Sequence, residues 1–164
     1  MNDQIKLEDW DWQILKELSE DGRLSFRSLS KTLDKSPVTI KRHIEYLETK
    51  GIIKHYGITI DYEKLGLDII ALIELTISKG KMLEVEEDIA KNPNVFGVYD
   101  ITGEYDALIF ARFRAREDLS KLVKDINSYE YVIRTNTHLI LNIIKEESTF
   151  SDLFKGKLNN SEKT

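Results

Sequence analysis

The chain has 164 residues, with 24 Lys and Arg against 29 Asp and Glu, a formal net charge of −5, 41% hydrophobic residues and 32% charged residues. That length and composition fit one ordinary domain or two small ones with real cores, and they exclude wholesale disorder. Cysteine is absent, which excludes disulfide frameworks, thiolate metal centres and cysteine nucleophiles, and fits a reducing, cytoplasmic location.

No membrane partner is expected. The most apolar run, residues 67–77, contains Asp68 and Glu74 and is too short to cross a bilayer. Residues 1–8 are polar and acidic and do not read as a secretion signal.

Charge is unevenly placed. Residues 1–22 hold two cations against seven anions, net −5, whereas residues 23–54 hold eight cations against three anions, net +5. A basic block inside an acidic chain is the electrostatic footprint of a phosphate-backbone partner. A solvated face of mixed charge is the plainer alternative.

Residues 9–50 read as three short helices. The first spans residues 9–20, with Trp10, Ile14 and Leu18 at i, i+4 and i+8, Asp9 and Asp11 in its first turn, and Asp21-Gly22 as its stop. Ser25 caps the second, which carries Phe26, Leu29 and Leu33 on one face. After the brief connection Asp34-Lys35, Ser36 is the N-cap and Pro37 the first residue of a third helix that runs to Lys50 and ends at Gly51. Two short helices joined so tightly are a helix-turn-helix arrangement.

At about 100° per residue, Ile40, Ile44 and Leu47 form the buried stripe of the third helix. Val38, Arg42, Glu45 and Thr49 lie opposite, with Thr39 and Lys41 on the flanks. The N-terminal residues of a recognition helix enter the major groove. Val38, Thr39 and Arg42 are therefore the candidates for base edges, Arg42 toward guanine and Val38 or the Thr39 methyl toward a thymine methyl. Arg27, Lys35 and Lys41 are placed for phosphates, which position without specifying. With Ser36 at the groove-facing end, these seven residues are the expected DNA-binding set. The competing reading is a small helical bundle with a polar exterior.

Residues 52–60 are apolar and β-branched and predict a strand, which would make the unit winged-helix-like. Residues 61–66 read as a hinge. Beyond it, residues 67–77 predict a strand, 81–91 a helix with Met82, Val85 and Ile89 in register, 95–101 and 107–113 two strands, 117–128 a helix and 132–145 a last strand. The order βαββαβ is the ferredoxin-like split motif. The fold class is thus α+β, with a helix-turn-helix unit at 1–60, the hinge, a sheet domain at 67–150 and a tail at 151–164, frayed at its polar end.

Both faces of the sheet strands are apolar. Ile69, Ala71, Ile73, Leu75 and Ile77 line one side and Ile70 and Leu72 the other, while Leu108 and Phe110 alternate with Ala107, Ile109, Ala111 and Phe113. Two helices cover one face only. A second copy covering Leu72, Leu108 and Phe110 gives a symmetric homodimer. The alternative cover is the first helix or the segment 142–164.

One loop concentrates polar and aromatic groups: Tyr99, Asp100, Ile101, Thr102, Gly103, Glu104, Tyr105 and Asp106. Exposed amides at Gly103 beside the Thr102 hydroxyl suit a carboxylate, and Asp100, Glu104 or Asp106 suits an ammonium, so the pair of polarities suits an amino acid. An ordinary Gly/Asp turn is the bland reading. Catalysis has no support: His43, His55 and His138 have no ligand spacing, His43 lies beside the buried stripe and reads as structural, and neither a phosphate loop nor a nucleophile elbow occurs. No enzyme, metal or cofactor is expected.

These motifs together resemble the Lrp/AsnC ("feast/famine") transcription regulators of bacteria and archaea. LEDWDWQILKELSEDGRLS resembles the family's first helix and loop through Leu7, Asp11, Ile14, Leu15, Leu18, Gly22 and Arg23. SPVTIKRHIEYLETKGIIKHY resembles its recognition helix through Ser36, Ile40, Arg42, Leu47, Gly51, Ile53 and Tyr56. ITGEYDALI resembles its Gly-x-Tyr-Asp loop, and RTNTHLIL its threonine-bearing last strand.

The resemblance implies a DNA-binding N-terminal unit, a βαββαβ sensor domain, and a homodimer often assembled into rings up to an octamer. It also implies a small effector, usually an amino acid, held between dimers. Effector binding is carried over to Gly103, Tyr105, Asp106, Thr135 and Thr137, and Tyr99 and Thr102 join them on the local argument. Two departures stand out. Asp34-Lys35 replaces the family's usual Gly-apolar turn, and Asp tolerates the left-handed conformation such a turn needs; Glu8 stands where Asp is common. A different class of reading is a ferredoxin-like small-molecule binder or enzyme with a helical docking module.

Overall fold

The computed structural model describes residues 5–78 and 80–146. It divides at Thr59 into two compact units, the second spanning Ile60–Ile144. The expected tail, 151–164, lies outside the described residues.

The first unit is built from α1 (Asp9–Glu20), α2 (Phe26–Thr32) and α3 (Pro37–Thr49). Local chemistry sets each start. The Glu8 N–H donates to Asp11 Oδ2 at 2.8 Å, the Ser25 hydroxyl accepts from the Ser28 N–H at 3.1 Å, and the Ser36 hydroxyl accepts from the Thr39 N–H at 3.1 Å, each satisfying a donor that the first helical turn leaves open. The α2–α3 turn places Asp34 at φ +51°, the left-handed conformation that its Asp-for-Gly chemistry permits. Ile14, Leu29, Ile40, Ile44 and Leu47 form the buried core.

A polar contact crosses this core. Asp11 is 1% exposed and His43 8%. Asp11 Oδ1 lies 2.8 Å from His43 Nδ1, so α1 and α3 are pinned at one register. The structural reading of His43 holds.

The strand expected over residues 52–60 is not formed. Ile52 and Ile53 pack against the core, but Tyr56, Ile58 and Ile60 are exposed and no backbone ladder runs alongside them in this unit. β-branched sequence supplies propensity, and a strand also needs a partner. Among the described residues there is therefore no wing strand.

The second unit follows the order β1 (Ile69–Ile77), α4 (Met82–Ile89), β2 (Val95–Asp100), β3 (Ala107–Phe113), α5 (Arg116–Asn127), β4 (Val132–Ile140). The sheet is antiparallel throughout, in the order β2-β3-β1-β4. This is the expected βαββαβ arrangement. β4 stops at Ile140 rather than continuing to 145, because Ile140 pairs with Ile70 at the start of β1 and no further ladder exists. Leu141 and Ile144 beyond it are exposed.

The two sheet faces differ as the alternation requires. Ala71, Ile73, Leu75, Ile77, Ala107, Ile109, Ala111 and Phe113 pack with Val85, Ile89, Leu119, Leu122 and Ile126 from the helices. On the other face Leu72, Leu108 and Phe110 are only half-buried. Phe110 stacks at 6.0 Å from Phe96 and edge-on at 5.8 Å from Tyr99, and those two rings are exposed. One corner is covered from within the unit, where the Arg112 guanidinium lies 5.2 Å from the Tyr62 ring.

Trp10 and Trp12, the chain's two tryptophans, both lie in α1, so their fluorescence reports on the first unit alone. His43→Ala leaves Asp11 buried without its partner and is expected to cost that unit about 1–3 kcal/mol in urea unfolding followed at the tryptophans. The Asp11→Ala/His43→Ala double variant is expected to lose less than the sum of the two singles.

Candidate nucleic-acid interface and ligand loop

The outward face of α3 is the one the helical period assigns to it. Val38 is 78% exposed, and Lys41 and Arg42 are exposed while the neighbouring His43 and Ile44 are buried. Lys41 pairs with Glu45 at 3.5 Å along the helix. The hydroxyls of Ser36 and Thr39 lie 2.9 Å apart, so both hold the helix start while remaining on its accessible end. Arg27 is exposed on α2. Lys35 is half-buried, its ammonium 3.7 Å from the centre of the Trp10 ring, a cation–π contact that draws it toward α1. Arg27, Lys41 and Arg42 thus present positive charge beside the apolar tip of Val38. Such a surface can meet phosphates and a thymine methyl together.

The ligand loop joins β2 to β3. Ile101 N–H donates to the Asp106 carbonyl at 2.9 Å and Asp106 N–H to the Leu75 carbonyl at 2.8 Å. The Asp106 carboxylate accepts the Ile77 N–H at 2.8 Å. Asp106 therefore ties the loop to the end of β1. Gly103 has φ +137° with open space around its Cβ position, so glycine is required there by backbone conformation rather than by crowding. Thr102, Gly103 and Glu104 are exposed. Arg134 on β4 reaches the loop, with its guanidinium 4.9 Å from the Tyr105 ring and 3.1 Å from Glu104. On the loop's shoulder, Gly97 makes room for Tyr99: a Cβ at 97 would lie 2.8 Å from the Tyr99 ring.

Thr135 and Thr137 sit elsewhere on the sheet. They pair with Leu75 and Ile73, two residues of the helix-covered face, and Thr135 exchanges hydrogen bonds with Asn127 of α5 at 3.0 and 3.1 Å. Tyr99 lies on the opposite face, on the far edge strand. Three strand spacings, about 14 Å, separate β2 from β4. A single chain brings together Thr102, Gly103, Tyr105 and Asp106, with Tyr99 beside them; Thr135 pairs with Leu75, whose carbonyl accepts the Asp106 N–H, while Thr135 and Thr137 lie on the face opposite Tyr99.

One residue at this end escaped the sequence reading. Glu86 of α4 is 8% exposed, and its Oε1 has no hydrogen-bond partner. Burial pushes its carboxyl above the usual carboxylate range, and the negative charges of Asp100 and Asp106 push it further. The signal was present: Met82, Glu86 and Ile89 fall at i, i+4 and i+7, the same stripe that buries Ile89. On the half-covered sheet face, Glu74 accepts from Asn136 at 2.8 Å and lies 3.0 Å from His138 Nε2; these contacts, His138 first, hold its carboxyl below its ordinary value.

Among the described residues no cluster of His, Asp and Glu is arranged to hold a metal ion, and no helix is long and apolar enough to cross a membrane.

Comparison with known proteins adds the following. Residues 7–54 match the winged helix-turn-helix DNA-binding family and residues 70–150 the Lrp/AsnC ligand binding domain. An uncharacterized HTH-type transcriptional regulator of Pyrococcus furiosus is 41% identical over 143 residues, covering 87% of this chain and 97% of the relative. The crystal structure of a Neisseria meningitidis transcriptional regulator in complex with L-Met superposes with a TM-score of 0.80 at 30% identity, covering 87% of this chain and 95% of that one. LrpC of Bacillus subtilis superposes with a TM-score of 0.77 at 29% identity, covering 87% of this chain and 100% of that one.

Two outcomes follow from the loop geometry. Asp106→Ala removes the acceptor of the Ile77 N–H and is expected to destabilise the second unit by about 1 kcal/mol, whereas Asp106→Asn, which keeps a carbonyl oxygen there, is expected to cost less, both read by thermal unfolding in circular dichroism. Glu86 carries a raised folded-state pKa, so the stability it contributes is full below the unfolded carboxyl value and is lost as pH rises through the folded one. Glu86→Gln should therefore raise Tm at pH 7 and leave it nearly unchanged at pH 4.

Proposed function

The chain belongs to the Lrp/AsnC family of HTH-type transcriptional regulators, and from that premise we propose that it reads a two-fold symmetric DNA site as a dimer whose assembly responds to a bound amino acid. The observation that carries the DNA half is the division of α3: Ile40, His43, Ile44 and Leu47 are buried, while Val38, Lys41 and Arg42 face outward. Arg42 is assigned to a guanine edge, Val38 and Thr39 to a neighbouring thymine methyl, and Arg27, Lys35, Ser36 and Lys41 to the flanking backbone.

The dimer reading is supported by the sheet face bearing Leu72, Leu108, Phe110, Phe96 and Tyr99, whose apolar area suits a second copy of itself. Two copies related by a two-fold axis present two α3 helices, which suits half-sites one helical turn, or a multiple of it, apart.

For the effector, the loop supplies exposed amides at Gly103 and the Thr102 hydroxyl for a carboxylate, with carboxylates close by for an ammonium. The Neisseria relative was solved with L-Met, which supports an amino acid as the ligand class. Because Thr135 and Thr137 are remote from Tyr99 within one chain, a site using all seven residues requires more than one copy, in keeping with an effector held at a seam between dimers and with higher assemblies up to an octamer. Such a ligand shifts DNA binding only by its differential affinity for the assemblies, typically about 1–3 kcal/mol.

Footprinting on fragments of the source genome, with and without a panel of amino acids, tests this reading: protected half-sites at helical-turn spacing that change with one amino acid support it, and no protection at any fragment rejects it. Arg42→Ala is expected to weaken operator binding by about 1–3 kcal/mol and to relax one base position in a binding-site selection. Wild-type affinity should fall steeply with salt. Phe110→Glu places a charge in the proposed interface; sedimentation equilibrium is expected to show the monomer mass where the parent chain shows a dimer or larger.

A further inference from the structure

We propose that the segment following the sheet unit, residues 148–158, docks in an apolar groove of the helical unit and holds down the stretch that leaves α3. The inference goes beyond the DNA, dimer and effector readings and depends on none of them.

The groove is lined by Leu15 and Leu18 from α1 and by Ile52, Ile53, Tyr56 and Ile58 after α3, and has a volume of about 710 Å³. Ile52 and Ile53 pack on the core. Tyr56 is tied to α3, its hydroxyl donating to Glu48 Oε1 at 2.9 Å. A Cβ on Gly22 would lie 3.8 Å from the Gly57 carbonyl oxygen, so the stretch runs beside the α1–α2 connection. Yet Ile58 is 78% exposed and Tyr56 49%, and among the described residues no backbone ladder pairs with them. The buried polar atoms that lack a partner among the described residues are on Thr76 and Glu86, in the other unit. A small ligand would thus find no buried polar group waiting to fix its orientation. The apolar stripe of an amphipathic segment needs only apolar walls.

The chain supplies such a segment. Lys145 and Glu146, the last described residues, belong to the helical unit, since the sheet unit ends at Ile144. Residues 147–164 therefore continue from the unit that holds the groove. In their sequence Phe150, Leu153, Phe154 and Leu158 recur at i, i+3, i+4 and i+8, the spacing of one helical face. Thr149 and Asp152 have the spacing of a capping box ahead of it. A helix this short is marginal in water alone, so its apolar face needs a surface. Covalent attachment supplies that surface at an effective concentration on the order of millimolar. Charge agrees with the pairing. Lys155 and Lys157 stand in a run from Leu153 to Leu158 that contains no acid, and the groove's rim at the end of α1 carries the exposed Glu20 and Asp21. The matched ligand binding domain ends at residue 150, so most of this stripe lies outside the domains the family shares.

Hydrogen–deuterium exchange of the full chain, read by mass spectrometry, tests the docking. Leu153→Ser/Phe154→Ser removes half of the stripe without touching either core, and the fluorescence of Trp10 and Trp12 checks that the helical unit stays folded. Amides of residues 54–59 are expected to exchange about ten-fold or more faster in this double variant, with α3 and β1 unchanged. Ile58→Glu, at an exposed position, places a charge in the groove and should speed exchange across residues 150–158. Unchanged exchange at 54–59 in the double variant overturns the proposal, as does a change confined to β1 and β3. Full exchange of residues 150–158 at the earliest time in the parent chain, or their undiminished protection in Ile58→Glu, overturns it equally.

Discussion

A four-stranded sheet that carries its two helices on one side must have its other side settled by something else. Here both sides are apolar, because β1 and β3 place Leu72, Leu108 and Phe110 opposite a fully packed core. Burying such side chains is worth about 1.5–3 kcal/mol each when complete, so a half-covered face holds free energy that an association could still gain. The chain covers one corner for itself with Tyr62 against Arg112. Arg112 also lies 5.4 Å from the Phe96 ring, so this cover borders the continuous aromatic surface that Phe96, Tyr99 and Phe110 form on β2 and β3. Polar groups of β4, with Glu74 held between Asn136 and His138, bound it on the other side. A patch with such a border favours one docking geometry over diffuse aggregation.

In the helical unit the equivalent constraint is a single polar contact through the core. A third helix held by Ile40, Ile44 and Leu47 alone could rotate by a fraction of a turn and still bury apolar area, because aliphatic packing tolerates small shifts. The Asp11–His43 pair does not tolerate them: Asp11 also accepts the Glu8 N–H, so moving α3 would leave buried polar groups unmet at both ends. In the proposed DNA complex, the rotation of α3 about its axis decides whether Arg42 or Glu45 points toward the base edges. A buried polar link, expensive in stability, is thus placed where orientation rather than cohesion is at stake.

Much of this was legible in residue order. Ser25, Ser36 and Pro37 mark helix starts by chemistry that acts within one turn, and the period of Ile40, Ile44 and Leu47 separates the buried face of α3 from the exposed one. Asp34 was legible as a left-handed turn residue for the same local reason. Errors came where the outcome depended on a partner distant in the chain. Residues 52–60 have the composition of a strand but meet no ladder, and β4 ends at Ile140 because β1 begins opposite it. The position of Thr135 and Thr137 on the edge strand β4, on the face opposite Tyr99, is likewise visible only in strand order and register. Glu86 was missed because acidic residues in a short helix are read as solvated, although its spacing from Met82 and Ile89 put it on the buried stripe.

The loop and the sheet face are joined by covalent geometry, and this bears on how a ligand could act at a distance. Tyr99 belongs both to the aromatic surface, through its edge contact with Phe110, and to the shoulder of the loop, where Gly97 admits its ring. Asp100 follows it directly and, by alternation, lies on the helix-covered side of the sheet. A ligand that reorganises charge around Asp100 therefore acts on a residue whose neighbour lies in the proposed contact between copies, with no long relay of side chains needed. Arg134, stacked on Tyr105 and paired with Glu104, extends the same coupling to β4. In the proposed assemblies, binding energy at the loop enters the assembly equilibrium to the extent that these few side chains differ between assemblies, and DNA affinity would follow from how many α3 helices each assembly presents together.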